Sequence, residues 1–129
     1  MRVYVTGNDK KAADEIRRAK PDNVTLTGYL SNEAYAGLLR GVSAILVLTT
    51  RDFTMQRGGS EAITVGRPLI TSDWPVLREI FSMGTVHVNN TAAGIQAGIE
   101  EVRRNYDRFM SEIGELKEVR EQRWRAAKQ

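Results

Sequence analysis

The stretch AILVLTT, residues 44–50, constrains the fold more than any other part of the chain. It is almost continuously apolar and lacks the alternation of a half-solvated strand. It therefore reads as a strand covered on both faces, which is the habit of parallel sheets sandwiched by helices. The remaining sequence supplies the partners. RVYVTG (2–7), NVTLTG (23–28), PLITSD (68–73) and TVHVNN (85–90) read as further strands. Asp9 opens a helix through Lys20, which Pro21 stops. Ser31 caps a second helix, with Glu33 in its first turn and Gly41 just past its end near Arg40. SEAITVG (60–66) is a short helix closed by Arg67-Pro68, and Asp73 caps WPVLREIFSM with Pro75 in the first turn. Strands and helices alternating in this way imply an α/β, Rossmann-like, three-layer αβα architecture. Its sheet is mostly parallel, with about five strands.

A chain of 129 residues has room for one domain. The expected division is a sheet core over 1–90 and a helical tail over 91–129, beginning at Thr91. Ile95, Ile99, Val102, Tyr106, Phe109, Ile113 and Leu116 follow one another at alternating spacings of four and three, a single apolar stripe along a helix. Two readings stay open. The stripe packs on its own domain, or its far half reaches another domain or subunit. Gly114 is the expected point of a kink.

Composition removes several classes. Cysteine is absent, so disulfides and thiolate metal sites are excluded, and a cytoplasmic location is expected. No apolar run reaches membrane-spanning length. Nineteen Lys and Arg stand against 16 Asp and Glu, a net charge of +3 without a basic block, so nucleic acid is not an expected partner. His87 is the single histidine and sits inside VHV, a structural setting, and no histidine metal cluster can form. No metal and no cofactor is therefore expected.

In a doubly wound sheet, ligands sit at the carboxyl ends of the strands, where loops meet helix N-termini. The longest loop at that edge is 51–59, and it ends in Gly58 and Gly59 immediately before SEAITVG. Two glycines there can serve as a turn, with Glu61 complementing the helix dipole. They can equally let a phosphate approach the unpaired first N–H groups of the helix, with Glu61 accepting hydrogen bonds from ribose hydroxyls. P-loop, dinucleotide-fingerprint and nucleophile-elbow motifs are all absent. The acidic pair, aspartate and lysine of phospho-acceptor receivers are missing as well. The first strand ends in Gly7-Asn8-Asp9, the third in Thr49-Thr50 and the fifth in Asn89-Asn90.

The order NVTLTGYLSNEAYAGLL, AILVLTT, SEAITVGRPLITSD, LREIF and TVHVNNTAAGIQAGI resembles the C-terminal, donor-binding domain of GT-B fold retaining glycosyltransferases. That family contains glycogen synthases and many bacterial mannosyl- and glucosyltransferases. The likeness covers roughly residues 2 to 103. Its most specific part is EA-x-x-x-G-x-P-[VL]-I, here Glu61-Ala62, Gly66, Pro68, Leu69 and Ile70. The resemblance implies a nucleotide-diphosphate sugar as donor, with sugar transfer that retains the anomeric configuration. Glu61 matches the second glutamate of the E-x7-E motif and would hold the ribose. Amides around Gly58, Gly59 and Ser60 would face the diphosphate. Met55, Gln56 and Arg57 would lie near the sugar and phosphates, and Gly28, Tyr29 and Leu30 would border the base.

Two departures follow from the same comparison. Phe53 stands where the first motif glutamate belongs, with Asp52 beside it as the acidic candidate for a catalytic role. The family's diphosphate-clamping Arg and Lys lie ahead of the segment equivalent to RVYVTG, together with a central strand and the acceptor domain. The chain is thus expected to be inactive without an acceptor domain or partner subunit. It is also expected to carry an apolar sheet edge that favours a homodimer. Two alternatives to a transferase remain. One is a non-catalytic α/β nucleotide-binding or interaction module, such as one subunit of a split transferase. The other is a domain like those of sugar-nucleotide epimerases.

Overall fold

The structure is a computed structural model that describes residues 1–6, 18, 20–50 and 57–128, with Arg57 and Lys128 described by backbone alone. The helix expected over 9–20 and most of the loop after the third strand lie outside the described residues. Elements follow in the order β1 (Val3–Thr6), β2 (Val24–Gly28), α1 (Asn32–Gly41), β3 (Ile45–Val47), α2 (Arg57–Val65), β4 (Leu69–Ser72), α3 (Pro75–Ile80), β5 (Thr85–Val88), α4 (Ala92–Arg104) and α5 (Tyr106–Lys128). The chain is α/β, its strands are parallel throughout, and it ends in a long helix.

The five strands do not make the single sheet expected. They form a two-stranded sheet, β1-β2, and a three-stranded sheet, β3-β4-β5. Strand existence is written in local composition, whereas which strands share hydrogen bonds is not, and β1 and β3 each have one strand neighbour. The contacts likewise divide the chain into two compact units, Met1–Leu38 and Leu39–Gln129.

In the first unit β1 and β2 pair in register Val3↔Val24 and Val5↔Leu26, with a shift before Thr6↔Gly28. Asn23 Nδ2 donates to the Met1 carbonyl at 3.0 Å and Thr27 Oγ1 to that of Val5 at 3.3 Å. None of the described residues in this unit is buried. Ser31 caps α1 as expected, its Oγ accepting from the Ala34 amide at 3.1 Å.

The second unit is built on β4, whose four residues are all buried. It pairs with β3 (Ile45↔Leu69, Val47↔Thr71) and with β5 (Leu69↔Thr85, Ser72↔Val88). Alternate residues feed two cores. On one face, Ile45 and Leu69 pack with Ala62 and Ile63 of α2, Leu77 and Phe81 around α3, and Ile113 and Leu116 of α5. On the other, Ile70, Val86 and Val88 pack with Val102 of α4 and Phe109 of α5.

Caps and breaks differ in detail from the sequence expectation. Trp74, not Asp73, occupies the position before α3, and Asp73 is drawn into an ion pair with Arg78 instead. Thr91 caps α4 through its Oγ1, which accepts from Gly94 N at 3.0 Å. The tail breaks at Asn105 rather than Gly114. Both the backbone N–H and the side-chain amide of Asn105 turn back to the Glu101 carbonyl, at 3.1 and 3.3 Å, and end α4 there. Gly114 lies inside α5 with nothing within 4 Å of its Cβ position. Through Leu116 the apolar stripe is spent on the unit's own two cores.

A two-stranded sheet with no buried residue has little to hold its amides closed. Hydrogen exchange read residue by residue is therefore expected to show β1 and β2 exchanging faster than Leu69–Ser72 by at least about tenfold. Equal protection in both sheets would contradict this.

Candidate functional site

Parallel pairing brings the carboxyl ends of β3, β4 and β5 to one edge, and polar side chains tie that edge together. Thr71 and Ser72 close β4 and are fully buried. Burial of a hydroxyl is tolerated only with hydrogen bonds made. Thr71 Oγ1 donates to the Val47 carbonyl at 2.7 Å. Ser72 Oγ accepts from the Thr49 amide at 2.8 Å and donates to Asn90 Oδ1 at 2.6 Å. Asn90 Nδ2 and the Trp74 indole N–H both donate to the Thr49 carbonyl, at 2.8 and 3.0 Å. Thr49, Ser72, Trp74 and Asn90 thus lock three strand ends into one frame. In the sequence, Ser72 and the Thr49-Thr50 and Asn89-Asn90 pairs are visible as strand-end polar residues. Their convergence on one carbonyl is not.

The helix reached from this edge through residues 50–56 is α2. It begins at Arg57, three residues earlier than the sequence suggests, so Gly58 and Gly59 are its first turn and not a loop before it. A Cβ on Gly58 would stand 2.7 Å from Val47 Cγ2, and one on Gly59 would stand 2.6 Å from Phe81 Cζ. Close packing of α2 on β3 and on Phe81 is thus a sufficient reason for both glycines. The carbonyl of Ser60 accepts from Thr64 Oγ1 at 3.1 Å. Glu61 is half-buried, whereas its neighbours Ala62 and Ile63 are core residues. Gly66 has φ of +73°, the left-handed conformation of a helix C′ residue, and Pro68 is fully buried at the start of β4.

Gly58, Gly59 and Ser60 therefore lie, with the Arg57 backbone, in the first turn of α2, and Glu61 follows them in the same helix. Asp52, Phe53, Met55 and Gln56 lie outside the described residues. Gly28, Tyr29 and Leu30 belong to the first unit. Gly28 ends β2 with φ of 69°, Tyr29 is 86% exposed and Leu30 is half-buried. Among the described residues, no group of three or more His, Asp or Glu is placed to hold a metal ion, and no helix is long and apolar enough to cross a membrane.

His87, on β5, is half-buried, and its Nε2 lies 3.2 Å from the Leu77 carbonyl. Burial lowers its pKa below the ordinary 6.5, and the nearby Arg78 adds to this. The Leu77 carbonyl and Asp73 oppose the shift. Asp73 itself is held below its ordinary 3.8, chiefly by the hydrogen bond from Arg78. No protein-family model matches the chain, and a search of curated proteins found no match.

Two outcomes follow. Gly58→Ala and Gly59→Ala are each expected to cost about 1–3 kcal/mol by overpacking, against less than about 0.5 kcal/mol for Ser60→Ala, in denaturant titrations. The depressed His87 pKa means that just below 6.5 the unfolded chain binds more protons at this residue than the folded one. Stability should accordingly fall as pH drops through that region, and His87→Gln should flatten the fall in melting temperature.

Proposed function

We propose that this chain is the donor-binding part of a retaining, nucleotide-sugar-dependent glycosyltransferase with a Rossmann-like, GT-B type fold. The observation that carries this reading is the placement of Glu61. In EA-x-x-x-G-x-P-L-I, Ala62, Leu69 and Ile70 are core residues, Gly66 turns the chain, and buried Pro68 leads into β4. Packing and backbone geometry account for each of these. Glu61 is half-buried, just past the first turn of the helix that follows the carboxyl edge of β3. There its carboxylate is suited to accept from two ribose hydroxyls. The N–H groups of residues 57–60, at the positive end of α2, are suited to a diphosphate. As the glycosidic bond to the sugar breaks, negative charge grows on the leaving diphosphate, and amides fixed in a helix start can stabilise it without reorganising.

Phe53 in place of the first motif glutamate favours a second reading. In that reading the chain binds nucleotides without performing chemistry, as one subunit of a split transferase.

Titration with UDP, GDP and ADP and their sugar conjugates, followed by amide NMR shifts at residues 58–61, tests the donor site. One of these ligands is expected to move those amides, and Glu61→Gln is expected to weaken it by about tenfold or more. A folded chain whose amides respond to none of them would overturn the donor-binding reading. Nucleotides binding as tightly as their sugar conjugates would favour the non-catalytic module.

A further inference from the structure

Residues 117–128 hold Lys117, Arg120, Arg123, Arg125 and Lys128 against Glu118 and Glu121, five cations and two anions, a net +3. The whole chain also carries +3, so the remaining residues sum to zero. All of the excess charge is therefore on the last three turns of α5. These turns leave the core. Ile113 and Leu116 are buried, Lys117, Val119 and Arg120 are half-buried, and every residue from 121 to 127 is exposed. The apolar stripe, continued at its own spacing of four and three from Leu116, falls on Arg120 and Arg123. Trp124 adjoins them, 64% exposed, one turn beyond Arg120 on the line that also holds Lys117. Thus the helix face that is apolar along the domain becomes cationic around one indole where the domain ends. Glu118, Glu121 and Arg125 lie on the flank of this face. The helix dipole accounts for cations in the last turn, but not for Lys117 and Arg120 two to three turns further in.

We infer that this face of α5, Lys117, Arg120, Arg123 and Trp124, docks on an anionic phospholipid surface, with the helix lying along the membrane and not across it. Charge complementarity selects the partner. A cluster of Lys and Arg on one helix face meets a plane of anionic headgroups all at once, and an indole with one polar edge is suited to the interfacial layer. A flat surface also fits a helix whose residues 121–127 are all exposed. A nucleic-acid duplex would be gripped by a broader basic footprint than one face of three helical turns presents.

The test is flotation of the full chain with vesicles of phosphatidylcholine alone or mixed with phosphatidylserine, at low and high salt, with a duplex oligonucleotide shift assay in parallel. The expected result is binding to the mixed vesicles that weakens with salt, with little binding to phosphatidylcholine alone. Arg120→Glu combined with Arg123→Glu should reduce it by about thirtyfold or more. Trp124→Ser, at an exposed position, should reduce it with unchanged circular dichroism. Failure to float with anionic vesicles, equal binding to both vesicle types, or insensitivity to the paired substitution would overturn the inference. So would binding to the oligonucleotide without binding to vesicles.

Discussion

Burial of β4 on both faces and along both edges is the constraint on which the Leu39–Gln129 unit rests. Its four residues divide their duties by parity. Leu69 belongs to the core that α2, α3 and α5 cover, and Ile70 to the core that α4 and α5 cover. Thr71 and Ser72 are polar but no less buried, so each must find partners, and they find them on β3 and beyond β5. A strand placed this way orders its neighbours. β3 and β5 have their register from it, and the helices before and after it are held where their apolar faces can reach.

The same packing sets the position of the candidate site. α2 can approach β3 closely because Gly58 leaves room for Val47, and can cross Phe81 because Gly59 leaves room for its ring. The first turn of α2 is thereby held against Val47 of β3 and the Phe81 ring.

Much of the architecture was legible before any coordinate. The apolar run at 44–50 announced a parallel strand, but not one covered on both faces, since Ile45 is buried whereas Leu46 and Leu48 are 44% and 38% exposed. Ser31 and Thr91 announced helix starts that their side chains do cap. Asp73 illustrates what misleads. It is a good capping residue one position too early, and Arg78 five residues on offers it a stronger, charged partner. Gly114 illustrates another error, because a glycine weakens a helix without ending it when packing on both sides continues. The break came at Asn105, whose amide can close the preceding turn. Of the candidate site, the helix start and Glu61 were visible as residue types. The hydrogen-bonded frame at the strand ends was not, because its members are separated by 18 to 41 residues.

Local chemistry, then, accounts for the existence, order and approximate length of the strands and helices, for the apolar stripe of the tail, and for the excess of cations after Leu116. These depend on side-chain periodicity and on caps that act within a turn. Pairing of five strands into a two-stranded and a three-stranded sheet, the sharing of one tail between two cores, and the role of Gly58 and Gly59 as contact points all came from elsewhere. They depend on which surfaces meet, and a hydrogen bond or van der Waals contact between distant residues leaves no periodic trace along the chain.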